Sequence, residues 1–233
     1  MGKIRIVGSL LALATVGLLV GCERAAQTAF PSEDRITAGI FLDPEERAVL
    51  PAGVEMRPVY EPGLRLTKVS EGFRSHLYND AAGYCTIAYG HLVKRASCDG
   101  TEPVAFARGL SETRGTELLV GDMARAQVTV MTEVSVKLTD GQYAALCDFV
   151  YNVGSGNFRR STLRNVVNGR QHDQVHLQFQ RWVSAGGREL PGLKTRRERE
   201  IELFFEGIGI PRAAPPPDMD LTPIDIRVGE GPR

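Results

Sequence analysis

The strongest constraint on the fold is a change of period partway along the chain. A turn cluster, Asn79-Asp80-Ala81-Ala82-Gly83, runs directly into Tyr84-Cys85-Thr86-Ile87-Ala88-Tyr89, a β-prone stretch, so residues 77–93 read as a hairpin. After Leu110 the pattern becomes helical. Leu119, Met123, Ala126 and Val130 recur at helical spacing. Thr139-Asp140-Gly141-Gln142 has the form of a capping box, and Tyr143, Leu146, Cys147 and Val150 form the apolar stripe of the helix it opens, which Gly154 ends. Leu64 to Gly72 reads as a short helix, and further helices are expected at about 161–168, 171–183 and 192–206. One small sheet beside a larger helical lobe is an α+β arrangement, with a cleft expected where the lobes meet.

Outside that region the pattern stops. Lys3 and Arg5 precede an uncharged run over 6–21, which reads as an export signal. Sixteen residues reach only about 24 Å as a helix, short of a ~30 Å hydrocarbon core. Residues 1–22 are therefore expected to act as a cleaved signal, a lipoprotein signal ending in Leu19-Val20-Gly21-Cys22, or a releasable anchor in the inner membrane. Residues 23–62, with Pro31, Pro44, Pro51, Pro58 and Pro62, read as a linker. Pro211, Pro215, Pro216 and Pro217 mark 208–233 as a disordered tail, leaving 63–207 as the folded domain. Apolar residues at 42% and charged residues at 24% are enough for that domain to fold as an ordinary globule. Net charge is zero, yet residues 154–199 hold ten Lys or Arg against three acids, which suits an anionic polymer. No nucleic-acid motif accompanies that charge, so nucleic acid is not expected as a partner.

The chemistry is concentrated in Glu71-Gly72-Phe73-Arg74-Ser75-His76-Leu77-Tyr78-Asn79-Asp80 and Gly83-Tyr84-Cys85-Thr86-Ile87-Ala88-Tyr89-Gly90-His91. A carboxylate at a helix end, a second on a hairpin turn and a hydroxyl on the returning strand can converge on one site. Glycoside hydrolysis needs an acid to protonate the leaving oxygen and a carboxylate to support the cationic transition state or activate water.

The whole string resembles the signature of the phage lysozymes, the T-even and lambdoid endolysin family, and is most similar to endolysins with amino-terminal signal anchors. Two further stretches carry the resemblance across about 64–207: Ala145 to Phe158 with Ser161-Thr162-Leu163, and Arg181-Trp182, Gly186-Gly187 and Pro191 to Arg199. The resemblance implies a lysozyme-like fold and a muramidase that cleaves the β-1,4 bond between N-acetylmuramic acid and N-acetylglucosamine in peptidoglycan, leading to host cell lysis. Glu71 would be the general acid, its pKa raised by burial. Asp80 would stay ionised and steady the oxocarbenium-like centre or orient water, and Thr86 would hold the attacking water. Arg196 aligns with an arginine that pairs with the catalytic glutamate, a basic-run arginine in solvent being the alternative. Export to the periplasm, tethering to the inner membrane and a monomeric state follow from the same resemblance.

One departure stands out: Ala88 occupies a position where the family has glycine. His91 reads as a hydrogen-bonded structural residue and Trp182 as core. His76, His172 and His176 show no metal-ligand pattern, and no cofactor is expected. Cys147 reads as a buried thiol. Cys85 and Cys98 could bridge if their Cα atoms lie within about 7 Å. Cys22 would either exchange with one of them on release or be acylated. Two other functions fit the same sequence. One is a catalytically silent lysozyme-fold glycan-binding protein, which retention of Glu71, Asp80 and Thr86 together argues against. The other is an envelope lipoprotein muramidase, which a lipid on Cys22 would distinguish.

Overall fold

Gly63 decides where the first helix sits. α1 (Glu61–Glu71) carries Pro62 in its first turn, and a Cβ on Gly63 would come within 2.5 Å of the Ala144 Cβ, so only glycine permits this approach. The structure is a computed structural model that describes residue 50 and residues 52–230. Gly72, at φ 69°, then turns the chain out of α1 into a three-stranded antiparallel sheet. Its strands are β1 (Arg74–Asn79), β2 (Cys85–Ala88) and β3 (His91–Lys94), in that spatial order. The hairpin is as the sequence indicates, and a third short strand adds to it.

After the short α2 (Val104–Ala107) comes the longest helix, α3 (Glu112–Glu133), whose Ser111 hydroxyl accepts the Arg114 N–H. The four residues that predict it, Leu119, Met123, Ala126 and Val130, are all buried. α4 (Asp140–Val153) opens with the expected reciprocal capping box between Thr139 and Gln142. Every residue from Gly141 to Val153 is buried, and α4 packs against α1, α3 and α8 (Pro191–Phe204) at once. A helix enclosed on all sides has no solvent face, so α4 is mostly apolar and its buried polar residues, Asp148 and Asn152 among them, are hydrogen-bonded inside the fold. The helical lobe is completed by α5 (Ser155–Arg160), α6 (Thr162–Asn168), α7 (His172–Gln180) and a two-residue hairpin, β4 (Ser184–Ala185) with β5 (Arg188–Glu189). Trp182 is fully buried, edge-on to Phe149 at 5.5 Å, and is a core residue.

The boundaries expected from sequence need correction at both ends. Among the described residues, packing onto the helical lobe is already present at Arg57, ahead of 63. The Arg57 carbonyl accepts from Gln127 Nε2 and the Tyr143 hydroxyl, both at 2.8 Å, and its guanidinium pairs with Asp140 at 2.6 Å. The proline-rich tail, expected to be disordered, packs onto the helical lobe. Ile224 and Ile226 are only 5% and 2% exposed, and Ile226 donates its N–H to Ser184 O at 2.9 Å. Arg181 pairs with both Asp220 and Glu230, and the Glu230 carboxylate accepts the Thr162 N–H at the start of α6. Proline is disfavoured within helices and strands beyond their first residues, but it does not keep neighbouring apolar side chains from docking. Residues 1–49, which include the run 6–21 and Cys22, lie outside the described residues. Among the described residues no helix is long and apolar enough to cross a membrane.

The basic stretch 154–199 is only in part a free cationic face. Arg181, Arg196 and Arg197 are buried, Arg159 and Arg164 pair with Glu133, and Lys194 pairs with Glu189. Part of the local charge excess is consumed by buried or paired arginines, while Arg160, Arg170 and Arg188 stay exposed.

Candidate active site

Glu71 is the last residue of α1, and its side chain is only 1% exposed. The carboxyl-terminal end of a helix is its negative pole, a poor place for a buried carboxylate without a cation. Arg196, on α8, supplies one: its Nη1 donates to Glu71 Oε1 at 2.8 Å. Solvent exposure is therefore excluded for Arg196, and the pairing with Glu71 is present. The other side of Arg196 faces α4, where Nε and Nη2 donate to Asp148 Oδ2 and Oδ1 at 2.9 and 2.8 Å. Thr67, one turn before Glu71 on α1, donates its hydroxyl to Asp148 Oδ1 at 2.7 Å.

Two more members of α8 complete this buried group. Glu200 accepts from Arg197 Nη2 at 2.8 Å, and the Arg197 guanidinium lies 4.8 Å from the centre of the Phe149 ring. Burial would push the Asp148 carboxyl up, but the Arg196 charge and hydrogen bonds overcome it and hold Asp148 below the ordinary carboxylate value. For Glu200 burial wins, helped by the Asp148 charge and only partly opposed by Arg197, and its carboxyl lies well above the ordinary value. Burial brings the Arg197 guanidinium down to about 10, still charged at neutral pH.

Asp80 is held differently. Its Oδ1 accepts the Ala82 and Tyr84 N–H groups at 2.8 and 2.9 Å, a side-chain turn that fixes the carboxylate, and it remains partly exposed. Thr86 lies directly across from Tyr78 in the β1–β2 ladder, is 2% exposed, and donates its hydroxyl to the Tyr84 carbonyl at 3.0 Å. Side chains alternate along a strand, so Tyr78 and Asp80 share the hairpin face that also carries Thr86. Tyr78 is under the electrostatic influence of both carboxylates. Burial raises its phenol pKa, Arg74 opposes the rise, and the negative charges of Glu71 and Asp80 both add to it. The charges of Glu71 and Asp80 are both felt at Tyr78, whose register partner is Thr86; Glu71 is in a dry, ion-paired position and Asp80 in a wetter one.

Such a pairing of a buried and a wetter carboxyl suits glycoside hydrolysis, and similarity to known proteins points to the same chemistry. The Phage lysozyme family model matches residues 68–200. The chain belongs to the phage lysozyme family. It is 34% identical over 137 residues to the SAR-endolysin of Bacteriophage PS119, covering 59% of this chain and 77% of that protein. To the endolysin of Acyrthosiphon pisum secondary endosymbiont phage 1 it is 33% identical over 150 residues, covering 63% of this chain and 97% of that protein. Among solved structures, a mutant lysozyme of phage P22 superposes with a TM-score of 0.56 at 30% identity, covering 64% of this chain and 99% of that one. This phage lysozyme is thus a peptidoglycan-directed glycoside hydrolase with the expected α+β fold.

Other positions of interest have structural roles. His91 Nδ1 lies 2.9 Å from Asp122 on α3, tying the sheet to the helical lobe. Ala88 adopts φ 58°, the left-handed region that favours glycine, and its Cβ lies 3.1 Å from where a Cβ on Gly115 would stand. The methyl is accommodated because α3 presents a glycine there. Cys85 and Cys98 form a disulfide, with Cα atoms 4.8 Å apart, and Cys147 is a buried free thiol. The group of potential metal ligands found among the described residues, Cys85, Cys98 and Glu102, has its two sulfurs bonded to each other and so offers no thiolate pair. Sequence reasoning does not single out Asp148, Arg197 or Glu200. A clue is present in the spacing of Arg196, Arg197 and Glu200, which places two cations and an acid within about one turn of α8.

Proposed function

We propose that Glu71 protonates the glycosidic oxygen between N-acetylmuramic acid and N-acetylglucosamine, that Asp80 steadies the positive charge developing on the sugar, and that Thr86 grips the attacking water. The observation that carries this reading is the contrast between the two carboxyls around Tyr78. Glu71 is dry and held by a buried arginine, as suits a group that must deliver a proton in a fixed direction. Asp80 is anchored by backbone N–H groups and open to water, as suits an anion that must stay charged.

The test is clearing of cell-wall suspensions by the unsubstituted enzyme and by Glu71→Gln. The substitution preserves shape and removes the transferable proton, so clearing should fall by about 10²–10⁴-fold or more while the circular dichroism spectrum is unchanged. New reducing ends among the products support hydrolysis over transglycosylation. A Glu71→Gln enzyme that still clears would reject the assignment. We further propose that residues 6–21 direct export towards peptidoglycan, with tethering to the inner membrane through this run or through a lipid on Cys22. Finding the chain only in the soluble periplasmic fraction, unlipidated, would reject the tether.

A further inference from the structure

We propose that Asp148 is a positioning residue that sets how strongly Arg196 acts on Glu71. The inference rests on Glu71 being the acid. Arg196 is wholly buried and hydrogen-bonded to two carboxylates, Glu71 and Asp148, with Glu200 farther off at 3.7 Å from Nε. Its Nε and Nη2 form a two-point clamp on Asp148, which fixes the guanidinium plane and leaves Nη1 directed at Glu71 Oε1. Asp148 is itself wholly buried and held by Thr67, on the same helix as Glu71. Thr67, Asp148, Arg196 and Glu71 therefore form a closed loop of contacts across α1, α4 and α8.

That loop has an electrostatic consequence. A lone arginine against a buried glutamate favours its ionised form and would strip an acid of the proton it must donate. Asp148 places a second negative charge on the same guanidinium and offsets that pull while keeping the geometry. The other charged or titratable groups around Glu71 are Lys68 on its own helix, paired to Glu112 on α3; Tyr78 on β1; Tyr151 on α4; and Glu200 and Arg197 on α8 behind Arg196. Asp122 on α3 acts on Tyr151 and holds His91 of β3. Besides Glu71, Asp148 is the anion hydrogen-bonded to the Arg196 guanidinium, at 2.8 and 2.9 Å, whereas Glu200 stands 3.7 Å away.

The experiment is the pH dependence of kcat/KM for cell-wall clearing in the unsubstituted enzyme, Asp148→Asn, and Asp148→Asn combined with Arg196→Gln. Asparagine keeps the volume and one acceptor oxygen but removes the charge. The high-pH limb, which reports loss of the acid's proton, should move down by about one pH unit in Asp148→Asn. In the double variant the nearer cation is gone as well, and the limb should move above that of the unsubstituted enzyme. A buried ion pair serving stability alone would change the melting temperature in both variants and leave the limb in place, which would overturn the proposal. The double variant tests whether the shift runs through Arg196: its limb should lie above that of Asp148→Asn, and coincident limbs in the two variants overturn the proposal; if Asp148→Asn does not fold, Arg196→Gln alone takes its place, because with the guanidinium gone Asp148 should no longer matter, and a limb that differs from that of the double variant overturns the proposal. Glu71→Gln separates the two levels. If it remains active, the assignment of the acid fails; if it is inert while the limbs coincide, only the role of Asp148 fails.

Discussion

Removing the Cys85–Cys98 bridge should destabilise the enzyme by a predictable amount. The two cysteines are 13 residues apart in sequence, and closing a loop of that size in the unfolded chain is worth about 3 kcal/mol. For a domain of this size each kcal/mol moves the melting temperature by roughly 2–4 °C, so Cys85→Ser/Cys98→Ser should melt about 6–12 °C lower. The native fold should otherwise persist. Backbone bonds from Cys85 N–H to Ala96 O and from Asp80 N–H to Tyr84 O hold the hairpin without the bridge, and the other described cysteine, Cys147, is buried away from it. Thermal unfolding followed by circular dichroism, with cell-wall clearing measured well below the transition, gives both quantities. A melting temperature within about 1 °C of the unsubstituted enzyme would refute the loop-closure reasoning, because the open loop would then have gained no freedom.

Three other outcomes follow from the packing. Arg196→Met leaves Asp148 and Glu71 buried without their cation and should cost about 3–5 kcal/mol, measured by urea denaturation; a loss below about 1 kcal/mol would mean that the group is not paired as described. His91 gains its proton more readily than an ordinary histidine because it hydrogen-bonds Asp122, against the opposing effect of burial. A raised folded-state pKa adds stability that is fully present below the unfolded value near 6.5 and is lost as pH rises through the folded value, so the deficit of His91→Gln should be larger at about pH 5.5 than at about pH 8.5. A deficit that does not vary with pH would contradict the pairing. Ile226→Ala should cost about 2–5 kcal/mol if the carboxy-terminal segment is docked, and almost nothing if it is loose; denaturant midpoints distinguish the two.

Legibility in the sequence follows the range of the interactions. Helices α3 and α4 are readable because period and capping are local: Leu119, Met123, Ala126 and Val130 mark one face, and Thr139 with Gln142 marks one end. The hairpin and the candidate trio of Glu71, Asp80 and Thr86 stand out because all three lie within sixteen residues of one motif. The buried charge group is harder. Asp148 looks like any acid on a helix until α8, some fifty residues further along the chain, delivers Arg196 to it. The run of basic residues misleads for the same reason: its sign is visible in sequence, but the Glu133 and Glu230 that neutralise parts of it are distant. Proline content is a guide to the absence of helices and strands after Phe205, and no guide to the docking of Ile224 and Ile226.

That docking bears on how the enzyme becomes complete. Residues 205–230 must emerge and return before β4 gains its outer neighbour and α6 its extra cap. Until then the hollow for the two isoleucines stays uncovered, and a chain stopped just beyond α8 would present that bare surface to its surroundings. The segment from Glu71 to Thr86 is made early, whereas the closure of the lobe that braces it waits on the least regular stretch of the described polypeptide.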